Sequence, residues 1–114
     1  MKSRRQLGWE GELLAKYYLE SKGYHFFTSN FYTRWGEIDL IMQDNDFLVF
    51  VEVKYYRSQM IDPRYVITAR KRRHLLRSAQ WYCVKTNHEG SYRFDLLIID
   101  ASRQVSDHYE NILI

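Results

Sequence analysis

The 114-residue chain has one cysteine, one proline and five glycines, and no apolar run long enough to span a membrane. Each scarcity removes a class of explanation. A lone Cys83 cannot close an internal disulfide and fits a reducing compartment. The apolar runs fall far short of the roughly 20 residues a transmembrane helix needs. Met1-Lys2-Ser3-Arg4-Arg5 is basic but has no apolar segment behind it, so no export signal is expected and the expected location is cytoplasmic, with no membrane partner. So few glycines leave no Gly-rich phosphate loop and no Gly-x-Ser-x-Gly elbow, which sets aside ATP-binding and serine-hydrolase chemistry. His25, His74, His88 and His108 are scattered without the spacing of zinc ligands.

What is present is a compact α/β pattern. Hydrophobic residues make up 46% of the chain, in blocks between charged stretches, and the length suits a single domain over residues 1–114. From Arg4 to Lys22, Leu7, Gly11, Leu14, Ala15, Tyr18 and Leu19 recur at helical spacing, with Ser3 as N-cap and Gly23 as stop. Tyr24 to Asn30 reads as an aromatic strand. Two further strands follow, Gly36–Ile41 and one running from Phe47 to Lys54, joined by a two-residue Asn45-Asp46 turn. Leu75, Leu76, Ala79, Tyr82 and Cys83 predict a second helix from Thr68 to Lys85, and Tyr92 to Asp100 a fourth strand. If the third and fourth strands are neighbours, the crossover through that helix makes them parallel. The expected order is helix, three strands, helix, strand, with Gln104–Ile114 as a last strand or a partner contact.

The chemistry concentrates in Asp39, Glu52 and Lys54. Alternation along a strand puts Glu37 and Asp39 on one face and Glu52 and Lys54 on one face of the next strand. An Asn45-Asp46 turn pairs Asp44 with Phe47, and counting outward sets Asp39 opposite Glu52 and Glu37 opposite Lys54. Two opposed carboxylates repel, and a divalent cation would remove the penalty. The plain alternative is a Glu37–Lys54 salt bridge with the other two acids in water. Glu12, on the edge of the first helix's apolar stripe, is placed to point toward the sheet, or else to face solvent as a boundary glutamate.

The blocks Gly11-Glu12, Ala15, Tyr18-Leu19, Gly23-Tyr24, Asn30, Gly36-Glu37-Ile38-Asp39-Leu40-Ile41, Phe50-Val51-Glu52-Val53-Lys54, Lys71, Ala79 and Arg93-Phe94-Asp95 resemble the YraN-like family of uncharacterised bacterial proteins. Asp39 followed by Glu52-Val53-Lys54 is also similar to the core signature of the PD-(D/E)xK nuclease superfamily. The likeness covers nearly the whole chain and departs at Gln59-Met60-Ile61-Asp62-Pro63-Arg64, where a small Gly-containing loop is expected. It implies a restriction-endonuclease-like fold, a mixed central β-sheet flanked by helices. It also implies a catalytic set of Glu12, Asp39, Glu52 and Lys54, and a metal site of Asp39, Glu52, the Val53 carbonyl and Glu12, in the manner of Holliday junction resolvases.

The expected reaction is hydrolysis of a phosphodiester in DNA, branched structures included, with Mg²⁺ or Mn²⁺ as cofactor. Lys54 orients the attacking water or stabilises developing charge, and Glu37 pairs with Lys54 or supports a ligand from behind. The net charge of +3 is mild, but Arg64, Arg70, Lys71, Arg72, Arg73, Arg77 and Lys85 cluster after the acidic hairpin. Arg57, Arg70, Lys71, Arg72 and Arg73 are the candidates to touch phosphates, against the bland reading of a solvated helix face. Trp35 and Tyr32 stack on a base or simply pack. A homodimer is compatible with the exposed aromatics and the Ile112-Leu113-Ile114 tail. A second function class stays open, a nucleic-acid-binding or complex-forming module that keeps the fold and does not cleave.

Overall fold

A computed structural model gives a five-stranded mixed sheet, in the order β1-β2-β3-β4-β5, with two helices. The structure describes residues 4–56, 62 and 67–112. Helix α1 spans Arg4–Ser21, and strands β1 His25–Thr33, β2 Gly36–Asp44 and β3 Phe47–Tyr55 follow. Helix α2 runs Ala69–Thr86, then β4 Tyr92–Ile99 and β5 Val105–Tyr109 complete the chain. The expected α/β architecture is therefore present, and the carboxy-terminal segment contributes a fifth strand. The expected cap Ser3 and the Gln59–Arg64 departure lie outside the described residues, apart from Asp62. No helix of the described residues is long and apolar enough to cross a membrane.

Local chemistry sets the boundaries. Gly23 takes a positive φ of 95° past the end of α1, and the Tyr24 amide closes the helix on the Leu19 carbonyl. Thr68 caps α2 by accepting from the Lys71 amide, and Asn87 ends it in the left-handed region. Asn45, also left-handed at φ 53°, makes the tight turn that pairs Asp44 with Phe47. β3 and β4 pair in parallel, from Leu48–Tyr92 to Tyr55–Ile99, as the crossover through α2 requires.

The two central strands are covered on both faces, which is why they read as nearly continuous apolar runs. On one face Ala15 and Leu19 of α1 pack on Leu40, Met42, Val49, Val51 and Leu97. On the other, Leu75 and Ala79 of α2 pack on Ile38, Ile41, Leu48, Phe50 and Phe94. β2 breaks the period of two, because Ile38 and Ile41 share the α2 face while Leu40 and Met42 share the α1 face. The break falls at Asp39. Gly11 lets α1 approach β3 closely: a Cβ there would lie 2.6 Å from Cε2 of Tyr55.

A buried polar network ties the first half of β4 to its surroundings. Asp95 is fully buried and accepts from Arg93 Nε at 3.0 Å, the Asn111 amide at 3.1 Å and His108 Nε2 at 2.8 Å. Arg93 also reaches the Tyr24 hydroxyl at 2.6 Å and Asp44 at 3.1 Å, so the residue before β1, the end of β2 and β4 meet at one guanidinium, and His108 of β5 joins through Asp95. Burial alone would raise the Asp95 carboxyl, but the hydrogen bonds from His108, Arg93 and Asn111 outweigh it and hold it below the usual range. A depressed carboxyl contributes stability that is present above the ordinary Asp range and lost only as pH falls through the lowered value. Replacing Asp95 by Ala strands the Arg93 charge in the interior, so a loss of about 3–5 kcal/mol is expected in urea unfolding at pH 7. That loss should shrink on acidification; a penalty independent of pH would show that Asp95 acts by packing alone.

Candidate metal centre

Glu12, Glu37 and Asp39 each offer a carboxylate oxygen, and these oxygens lie within 4.8 Å of one another. They arrive from two elements, the middle of α1 and the first half of β2. Glu12 follows Gly11 on the helix turn pressed against β3. Glu37 faces α1 by ordinary alternation, and Asp39 joins it through a local departure from sheet geometry. The β1–β2 pairing runs from Ser29–Leu40 to Phe31–Ile38 and skips Asn30 and Asp39 between them. Asn30 takes φ 50° there.

On its other side β2 follows β3 only as far as Leu40–Val51. The expected turn and register hold to that point, and the expected opposition of Asp39 to Glu52 does not form. The Asp39 carboxylate instead enters the seam between the strands, where Oδ2 accepts the Val53 amide proton at 2.8 Å. Glu52 leaves β3 on the side of Phe50, toward α2, and is 5% exposed. Its Oε1 lies 3.3 Å from Lys54 Nζ and 3.5 Å from Lys71 Nζ, whereas its buried Oε2 has no hydrogen-bond partner among the described residues.

Pairing differs from expectation in a second respect. Lys54 pairs with Glu52, and Glu37 is bonded to Asn30, whose Nδ2 also donates to Glu12 Oε2 at 2.7 Å. The break in alternation at Asp39 explains the exchange: past Leu40–Val51, Glu37 and Lys54 no longer share a face. Glu37 thereby stands within the trio instead of behind it, and Glu52 stands beside it with two lysines.

The electrostatics are those of an acid surplus. Burial, followed by the negative charge of Glu52, pushes the Asp39 carboxyl up to about 8, against the opposing pull of the Val53 amide. Glu12 is raised too, by burial first, with Asn30 opposing and Glu37 and Glu52 adding to the rise. Glu52 thus acts on both acids although its oxygens lie outside the closest trio. The donor set, carboxylate oxygens with one orphaned buried oxygen nearby, suits a hard divalent cation such as Mg²⁺ or Mn²⁺.

The basic residues divide. Arg70, Arg72 and Arg73 are exposed along the start of α2, while Lys71 turns inward to Glu52. That inward turn was readable from helical spacing, since positions 71, 75, 78 and 79 fall on one stripe and Leu75, Ser78 and Ala79 are buried. Arg57 lies outside the described residues. Tyr32 is 73% exposed, and Trp35 carries the Arg34 guanidinium 5.5 Å from its ring centroid. Asn30 had no role assigned by sequence reasoning; the only signal was an amide residue, tolerant of positive φ, within an aromatic strand.

Comparison with known proteins shows what the chain is similar to. The chain is 40% identical to a UPF0102 protein of Vibrio parahaemolyticus over 108 residues, covering 91% of this chain and 89% of the relative. It is 41% identical over 105 residues to a UPF0102 protein of Coxiella burnetii, covering 90% and 88%. A UPF0102 protein of Thermodesulfovibrio yellowstonii is 37% identical over 110 residues, covering 96% of each chain. The family described as "Uncharacterised protein family UPF0102" matches residues 11–99, a span that holds Glu12, Asn30, Glu37, Asp39, Glu52, Lys54 and Lys71. The chain belongs to the UPF0102 family, the YraN family of its sequence resemblance.

Proposed function

We propose that the chain is a divalent-metal-dependent nuclease that hydrolyses phosphodiester bonds in DNA, with Asp39, Glu12 and Glu37 as cation ligands and Glu52 completing the acid set. The observation that carries this reading is the state of Asp39, a half-buried carboxyl pushed up to about 8 by desolvation and by Glu52 while Glu12 and Glu37 crowd it. Carboxylates held together at such a cost have a chemical reason to be there if a cation joins them. The Val53 carbonyl is a further candidate ligand through the superfamily likeness.

A bound Mg²⁺ or Mn²⁺ would supply Lewis acidity toward the phosphate and a lowered pKa for water at the site. The chain's own residues do the rest. Lys54, 38% exposed and anchored 3.3 Å from Glu52, holds an ammonium where it can orient the attacking water and offset charge developing on the phosphate. Lys71 adds a second positive charge from α2. Arg70, Lys71, Arg72 and Arg73 occupy the start of α2 with no acid in its first turn, although cations there oppose the helix dipole by about 0.3–1 kcal/mol each at low salt. An anionic backbone lying across that end would reverse the penalty. Branched DNA and a homodimeric enzyme belong to the finer form of the same reading.

One observation favours a second reading. Glu52 Oε1 already has two lysines for partners, a closed arrangement suited to a nucleic-acid-binding module that does not cleave. Cleavage of single-stranded, duplex, flap and four-way DNA and of RNA, with Mg²⁺ or Mn²⁺, separates the two. The parent is expected to cut at least one substrate, and Asp39→Asn and Lys54→Ala to lose on the order of 100-fold or more in rate. Activity that survives both substitutions sinks the site. Binding without cleavage, weakening steeply with salt and with Arg70, Arg72 and Arg73 changed to Ala, supports the module.

The Asp39 shift has its own consequence. Its folded value lies above the unfolded one near 3.8, so the native state binds the extra proton between those limits. Stability of the metal-free protein should therefore fall as pH rises from about 4 to 8 and level off above. Asp39→Asn still accepts the Val53 amide through its side-chain oxygen and removes the charge. It should melt higher than the parent at pH 8.5 without metal; equal melting curves at that pH would mean Asp39 is not under electrostatic strain.

A further inference from the structure

We infer that Asn30 is the positioning residue of the acid trio, the group that fixes Glu12 and Glu37 at the spacing a cation needs; this rests on the cation-site reading above. The first observation is its backbone. Asn30 holds φ 50° inside a strand, and the β1–β2 pairing skips it and Asp39 while keeping the same register on either side. The departure is therefore local, and its result is that the Asn30 side chain turns to α1 while Asp39 enters the β2–β3 seam. A residue other than Gly held at positive φ is uncommon outside turns, and Asn tolerates it better than most.

The second observation is the use of its amide. A single Nδ2 donates to Glu12 Oε2 on α1, at 2.7 Å, and to Glu37 Oε1 on β2. Two carboxylate neighbours fix the orientation of the amide, since its carbonyl oxygen would meet acceptors only. The Val53 amide does the same service for Asp39 Oδ2. Each acid thus has one oxygen held by a protein N–H, and its second oxygen carries no hydrogen bond from the described residues. A neutral donor fits between these acids better than a charged one. A lysine or arginine in its stead would compete with a cation by charge, whereas an amide spaces the acids and leaves their charge in place.

The contrary view is that Asn30 is there only for its backbone, and glycine separates the two because it accepts positive φ and has no amide side chain. Calorimetric Mn²⁺ binding should be about 10–100-fold weaker in Asn30→Gly than in the parent, the range typical for loss of a group that orients metal ligands. Asn30→Asp keeps shape and backbone tolerance but puts an oxygen against Glu12 and Glu37. It should melt below the parent without metal and gain more than the parent from saturating Mn²⁺. Should Asn30→Gly not fold, Asn30→Asp carries the test alone. Mn²⁺ affinity within twofold of the parent in every variant that folds, with an unchanged Mn²⁺-dependent rise in Tm for Asn30→Asp, overturns the assignment and leaves the cation site standing. A parent that takes up no Mn²⁺ removes the cation site and the assignment with it.

Discussion

Asp39 Oδ2 receives the amide proton of Val53 across a seam where β2 and β3 no longer pair, and the arrangement of the site follows from that contact. A carboxylate set into a sheet seam is cut off from water on several sides, so its charge is costly before any neighbour is counted. Glu12 and Glu37 are then brought close by α1 and by alternation along β2, and Glu52 by the next strand. Amide hydrogens of Asn30 and Val53 bond the trio, while the ammonium groups of Lys54 and Lys71 lie on Glu52. The local balance is acidic by construction.

A second acid, on β4, solves a similar problem in the other way. Asp95 is even more deeply buried, yet three donor residues, Arg93 among them, keep it ionised. One buried acid is satisfied and its carboxyl is depressed; the other is crowded and its carboxyl is raised. The contrast distinguishes a carboxylate that holds strands together from one whose charge is costly where it stands. Strain retained in one place and offset by a well-packed, fully bonded region elsewhere is the usual pattern of a functional site.

Helix α2 covers one face of the sheet. Its buried stripe of Leu75, Ser78 and Ala79 fixes the helix on the Phe50 face, and the same stripe carries Lys71 to Glu52. The neighbouring arginines then have no choice but to point outward, where they form a positive rim beside an acidic centre. Cation and anion surfaces are thereby set side by side by one helical period.

Much of this was legible in the chain. Helical spacing gave α1 and α2, the long apolar runs of β3 and β4 reflected burial on both faces, and Asn45 fixed the hairpin register through Leu40–Val51. Asp39, Glu52 and Lys54 could be singled out from their residue types and spacing, because period-two alternation is a local property. What lay beyond the sequence were the consequences of twist and of contacts distant along the chain. Alternation predicts an unbroken ladder, and so it set Asp39 against Glu52 and Glu37 against Lys54. The folded chain parts β2 from β3, skips the pairing of Asn30 with Asp39 and brings Glu12 in from α1. Residue order determined which acids the protein has and on which elements they ride; tertiary structure decided which of them meet, because the strand separation that selects Glu37 for the trio and leaves Glu52 to the lysines exists only once helix, edge strand and hairpin pack together.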